Sequence, residues 1–127
     1  MERQRKILLD TNAIIYFLEG AAEFEVIGDF KTFYYSFITE IELLSYRDEE
    51  RKQKILSFLK NGKLITINHK LISQTIEIRN KYRLKIPDAI IVASAQSIKA
   101  DLYTSDEEIV KKIDFVKIYN LLKRWKF

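Results

Sequence analysis

The sequence predicts an α/β protein built on a parallel sheet that helices wrap on both faces. Short apolar runs of strand length alternate with amphipathic stretches of helix length along the chain, the pattern of repeated β-α-β crossovers. One helical stretch, PDAIIVASAQSIK, is apolar on almost every side and so belongs inside. The composition, 47% apolar and 31% charged with 3 Gly and 1 Pro, is that of an ordered, helix-rich chain rather than a disordered one. A length of 127 residues suits one domain over 1–127 and is too short for two independent cores.

KILLD (6–10) reads as the first strand. TNAIIYFLEG follows as a helix, with Ala13, Ile14, Phe17 and Leu18 at helical spacing and Gly20 as the stop. AAEFEVIGDF is expected to form a short helix closing near Gly28. TFYYS (32–36) is aromatic and strand-like, and ITEIELLSY turns helical. In DEERKQKILSFLKNG, Ile55, Phe58 and Leu59 share one side of a helix that Asn61-Gly62 ends, and strand KLITI (63–67) follows. Residues 69–82 form a helix with Leu71, Ile72, Ile76, Ile78 and Tyr82 largely on one side, before PDAIIVASAQSIK. DLYTS (101–105) is a strand, DEEIVKKI a helix and FVKIY (115–119) a last strand before the tail NLLKRWKF.

Much chemistry is excluded by composition. With no cysteine there is no disulfide, thiolate nucleophile or cysteine-bound zinc, and the single histidine, His69, reads as a strand-to-helix junction residue. Any reaction must therefore run on carboxylates, hydroxyls, Lys, Arg or Tyr. MERQRK is followed by only three apolar residues before Asp10, so neither a signal peptide nor a transmembrane span is expected, and the protein is placed in the cytoplasm. The net charge of +4 leans toward polyanionic partners, with basic residues gathered in RNKYRLK (79–85) and KRWKF (123–127); solvated surfaces account for both equally well.

In open α/β sheets ligands bind outside the carboxyl ends of the strands, so acids at strand-to-helix junctions carry the most weight. Asp10 closes KILLD, Asp106 follows LYTS, Asp88 opens its helix, and Glu42 lies early in the helix after TFYYS; Glu40, two residues away, points to a different face. Each has a plainer role open to it. Asp10 suits an N-cap, Thr39-x-x-Glu42 and Ser105-x-x-Glu108 fit the capping box, and Asp88 behind Pro87 suits a helix start. What those roles leave unexplained is the common rim. Clustered acids repel unless a cation sits among them, and an all-oxygen donor set selects Mg²⁺ or Mn²⁺, which cleave phosphodiesters without histidine.

These motifs resemble those of the PIN-domain ribonucleases, and within them the VapC-like toxins of toxin–antitoxin pairs, over essentially the whole chain. LLDTN is similar to the family's first motif and assigns Asp10; SFITEIELLS assigns Glu42; IPDAIIVASA, the most specific, assigns Asp88; LYTSDEEI assigns Asp106. The fourth motif departs from the pattern: Glu108 and Ile109 stand where the family often has a second acid and an aromatic. The resemblance implies a PIN-like three-layer α/β/α fold with a four- or five-stranded parallel sheet in the order 3-2-1-4-5. It also implies a Mg²⁺- or Mn²⁺-dependent endoribonuclease using Asp10, Glu42, Asp88 and Asp106 as metal ligands and catalytic groups, with Thr11, Asn12 and Thr104 in support. A cognate antitoxin is implied as partner. A homodimer is expected too, with the aromatics of YFLEG and EFEVIGDF as exposed contact residues. Two rival readings are a non-catalytic PIN-like module that binds RNA or protein, and an aspartyl-nucleophile phosphatase; the latter usually has a second acid where Asn12 stands.

Overall fold

Period-two alternation in the central strand sets the layers. In the computed structural model, which describes residues 5–20 and 32–120, Ile7 and Leu9 of β1 (Ile7–Leu9) face one side of the sheet and Leu8 the other, and all three are fully buried. β2 (Phe33–Ser36), β3 (Lys63–Ile65), β4 (Asp101–Thr104) and β5 (Ile118–Asn120) join it, every pairing parallel, in the order β3-β2-β1-β4-β5. The five-stranded sheet and its order are those expected. The register matches Leu9 with Tyr103 and Leu8 with Tyr34.

α1 (Thr11–Leu18) and α3 (Glu49–Leu59) cover the Ile7/Leu9 face, where Ile14, Phe17, Ile55 and Phe58 pack with Phe33 and Tyr103. The Phe33 and Phe58 rings stack at 4.9 Å. α4 (His69–Tyr82), α5 (Ile86–Ser97) and α6 (Glu107–Lys112) cover the Leu8 face with Leu71, Ile78, Val92 and Ile109. α2 (Phe37–Leu44) sits across the top and serves both layers: Leu43 joins the first core, Phe37 and Ile38 the second. As its composition predicts, α5 buries Ala89, Ile91, Val92, Ala93, Ser94 and Ala95.

Local chemistry sets the ends. Gly20 follows α1 at φ +72°, the left-handed geometry that closes a helix most easily when there is no Cβ. Gly62 lies under the Phe33 ring, where an added Cβ would come 2.7 Å from Cδ2. β3 ends at Ile65, two residues before the sequence suggests, because Asn68 is taken as the N-cap of α4 and accepts from the Leu71 N–H at 2.8 Å. β5 begins at Ile118 rather than at residue 115, since Leu102 pairs with Ile118 and Thr104 with Asn120.

Other expectations change. Pro87 is the second residue of α5, not the first, and Lys85 precedes the helix without a side-chain cap. Phe17 is 3% exposed, so it belongs to the core and not to a contact surface. The helix expected near AAEFEVIGDF and the tail NLLKRWKF beyond Asn120 lie outside the described residues. Among the described residues no helix is long and apolar enough to cross a membrane.

Candidate active site

The C-terminal edge of the sheet collects the four acids because of how the chain enters and leaves it. β1 ends at Leu9 and Asp10 comes next; β2 ends at Ser36 and leads straight into α2, which carries Glu42; β4 ends at Thr104, two residues before Asp106. α5 runs toward the start of β4, so its first turn, with Asp88, lies at the same edge.

Asp10 is the most enclosed, at 6% exposure. It is the N-cap of α1, as the plainer reading expects: its Oδ1 accepts from the Ala13 N–H at 2.8 Å. Its Oδ2 accepts from the Thr104 hydroxyl. Burial nevertheless pushes its pKa from 3.8 up to about 7; the two hydrogen bonds oppose that rise, and the charges of Asp106 and Asp88 add to it. Asp88 is partly buried and is also raised, first by desolvation and then by Asp106, with Glu42 and Glu108 adding and Lys85 opposing. Asp10 thus feels Asp88 and Asp106, and Asp88 feels Asp106 and Glu42, across one rim. Among the described residues, however, no three His, Asp or Glu side chains stand close enough to hold a metal ion between them.

Hydroxyls tie these acids together. The Thr104 hydroxyl that donates to Asp10 also accepts from the Asp106 N–H at 3.0 Å, so one side chain links two of the acids. Thr11 Oγ1 donates to Glu42 Oε1 at 2.7 Å and lies 3.0 Å from Thr39 Oγ1. Thr39, which the sequence presents as a helix cap, is fully buried. The N-cap of α2 is in fact Ser36, which accepts from the Ile38 N–H, and Asp106 rather than Ser105 caps α6, accepting from Ile109 at 3.0 Å; neither capping box forms. Asn12 is exposed and makes no side-chain hydrogen bond to the described residues. Glu40 is partly buried and its charge acts on Tyr35, whereas that of Glu42 acts on Asp88, so the two glutamates do face apart. His69 is the exposed first residue of α4, the junction position expected of it.

A parallel sheet in the order 3-2-1-4-5 with an acid rim over its carboxyl edge defines a class of α/β protein. Within that class the profile of the PIN domain matches residues 7–116, and the chain belongs to the PIN domain family. Solved structures with the same fold include a toxin–antitoxin complex from Klebsiella pneumoniae (TM-score 0.76, 22% identity, 91% of this chain and 97% of that one). VapBC2 from Rickettsia felis, bound to a DNA fragment from its promoter, is similar at TM-score 0.76 and 20% identity over 91% and 98% of the two chains. VapBC-1 from nontypeable Haemophilus influenzae is similar at 0.75 and 20% over 92% and 98%. At these identities the likeness is one of fold. No curated protein matches the sequence.

Proposed function

We propose that the protein is a divalent-metal-dependent endoribonuclease, the toxin of a toxin–antitoxin pair, acting in the cytoplasm on RNA phosphodiester bonds. The observation that carries this reading is that four separate elements bring Asp10, Glu42, Asp88 and Asp106 to one sheet edge, where Asp106 and Asp88 raise Asp10, and Asp106 and Glu42 raise Asp88. A buried carboxylate with its pKa raised to about 7 costs more in folding than a helix N-cap needs to, and a bound cation would offset that cost.

The donor set fits Mg²⁺ or Mn²⁺. All four candidates are carboxylates, the ligands hard cations prefer. Bound among them, such a cation supplies a Lewis acid that activates water and neutralises charge on a phosphate. The chain's own contribution is orientation. Ala13 N–H and the Thr104 hydroxyl fix both oxygens of Asp10, Ile109 N–H fixes Asp106, and Thr11 holds Glu42.

A protein partner is supported by an apolar groove of about 360 Å³ between α4 and α5. Ile67, Ile76 and Ile86 on its walls are each more than half exposed, and their grouping in one groove suits an antitoxin or a second copy in a homodimer. The nuclease reading is tested by incubating the protein with single-stranded RNA in Mg²⁺, Mn²⁺, Zn²⁺ or EDTA. Cleavage in the first two, weaker in Zn²⁺ and lost in EDTA, is expected; cleavage that survives EDTA overturns the metal site, and RNA binding without cleavage in any metal favours the non-catalytic module.

A further inference from the structure

The acid rim has a cationic flank on one side. Three lysines act on Glu108: Lys112 by a direct ion pair at 2.9 Å, Lys111 and Lys85 from further off. Lys112 Nζ also donates to the Arg83 carbonyl at 3.2 Å, which ties α6 to the turn between α4 and α5. That turn carries Arg83 and Lys85, both exposed. Lys85 stands three residues ahead of Asp88, and its charge acts on Asp88 as well as on Glu108. Among the described residues it has no ion-pair partner within salt-bridge distance.

An unpaired ammonium beside carboxylates does two things in principle. It softens their repulsion, and it offers a site for a phosphate next to the one at which the acids act. The second is worth more to a protein whose substrate is a polyanion, because a negative rim otherwise repels RNA. Glu108 then acquires a role different from that of a metal ligand. Its carboxylate is already matched by Lys112, its pKa lies below the usual carboxylate value for that reason, and it occupies the cation that a phosphate would seek.

We propose that Lys85 and Lys112 form the phosphate-binding flank along which single-stranded RNA approaches the acid rim, and that Glu108 masks Lys112 until RNA displaces it. This rests on the nuclease reading for its substrate but not on turnover for its test. Lys85 grips the backbone of the nucleotide next to the cleaved bond. Lys112 exchanges Glu108 for a phosphate oxygen while keeping the Arg83 carbonyl.

The test measures binding of a fluorescent single-stranded RNA by anisotropy in Mg²⁺, in a Glu42→Gln background that holds the RNA uncut. Lys85→Gln and Lys112→Gln should each weaken binding about 3–10-fold and reduce the slope of log K against log salt by about 0.7, the value for one lost phosphate contact on a single strand. Glu108→Gln should tighten binding severalfold. Lys54→Gln, on α3 over the opposite face of the sheet, makes the same charge change and should do neither. In the otherwise native protein Lys85→Gln should raise KM and leave kcat nearly unchanged, with Lys85→Arg restoring most of the loss. Equal effects of Lys85→Gln and Lys54→Gln, or looser binding by Glu108→Gln, overturn the flank. RNA that binds with the predicted slopes but is never cut supports the flank and defeats the nuclease reading; RNA that is cut equally well by all the lysine variants does the reverse.

Discussion

Replacing Asp10 by asparagine should make the metal-free protein more stable at pH 8. The folded-state pKa of Asp10, about 7, lies above its ordinary value of 3.8, so the folded protein holds this proton more tightly than the unfolded chain does. Its contribution to stability is full below pH 3.8, declines as pH rises and is gone above about pH 7. A difference of roughly three pH units at 1.36 kcal/mol each is on the order of 4 kcal/mol, the cost of ionising a buried carboxylate. The introduced asparagine would keep an acceptor for the Ala13 N–H, but its amide would face a Thr104 hydroxyl that already accepts from Asp106, which recovers about 1 kcal/mol less. Asp10→Asn should therefore gain about 2–4 kcal/mol in EDTA at pH 8, a Tm rise of roughly 10 °C, shrinking toward zero near pH 4. Excess Mn²⁺ should offset or reverse the ranking, because a cation that binds only the folded wild type at a thousand times its Kd adds about 4.1 kcal/mol. Urea titrations of both proteins at pH 4.5 and 8, with and without Mn²⁺, supply every value needed. A variant less stable than wild type at pH 8, or a difference that ignores pH, refutes the burial argument; equal Mn²⁺ shifts remove Asp10 from the ligands.

Three further outcomes follow from other parts of the structure. Glu42→Gln should lower the rate of RNA cleavage by about 10²-fold or more while Glu40→Gln changes it by less than about threefold, and equal losses in a steady-state assay would mean that the wrong face of α2 has been assigned. Gly62→Ala should destabilise by about 1–3 kcal/mol in chemical denaturation, because its methyl group meets the buried Phe33 ring that stacks on Phe58; an unchanged midpoint would show that the ring has room to move. Lys99, at φ +55° just past α5, should gain about 0.5–1 kcal/mol on replacement by glycine, since left-handed backbone strains any residue with a Cβ, and a fall in Tm would count against that strain.

What the sequence makes legible is what local pattern controls. Residues 69–82 form the helix their spacing predicts, and Asp10 lies where an apolar strand meets a helical period. Asp88 could be placed because proline, an acid and an apolar run begin a helix that has to be buried. The misreadings share a cause: partners distant in sequence. Thr39 looks like a cap until Thr11, 28 residues earlier, is found against it. Thr104 is expected in support of the acids, but local spacing does not say that its hydroxyl meets Asp10, 94 residues away. The end of FVKIY is set by what β4 offers to pair with, so Phe115 and Val116 stay outside the strand although their β propensity is high. The separation of the carboxylates likewise depends on side-chain placement that no spacing rule contains.

The sheet order also bears on when, during synthesis, the rim comes into being. β1 is the central strand, yet its neighbour β4 begins only at Asp101, far along the chain. Until that segment has left the ribosome, one edge of β1 is open, Asp10 has no Thr104, and the Leu8 face lacks Leu102 and Ile109. At roughly 5–20 residues per second the nascent chain spends about 1–4 s with three of its four rim acids made and the fourth missing. Long-range parallel pairing then closes the fold in a late step. On the nuclease reading the acid rim is therefore incomplete until β4 docks on β1.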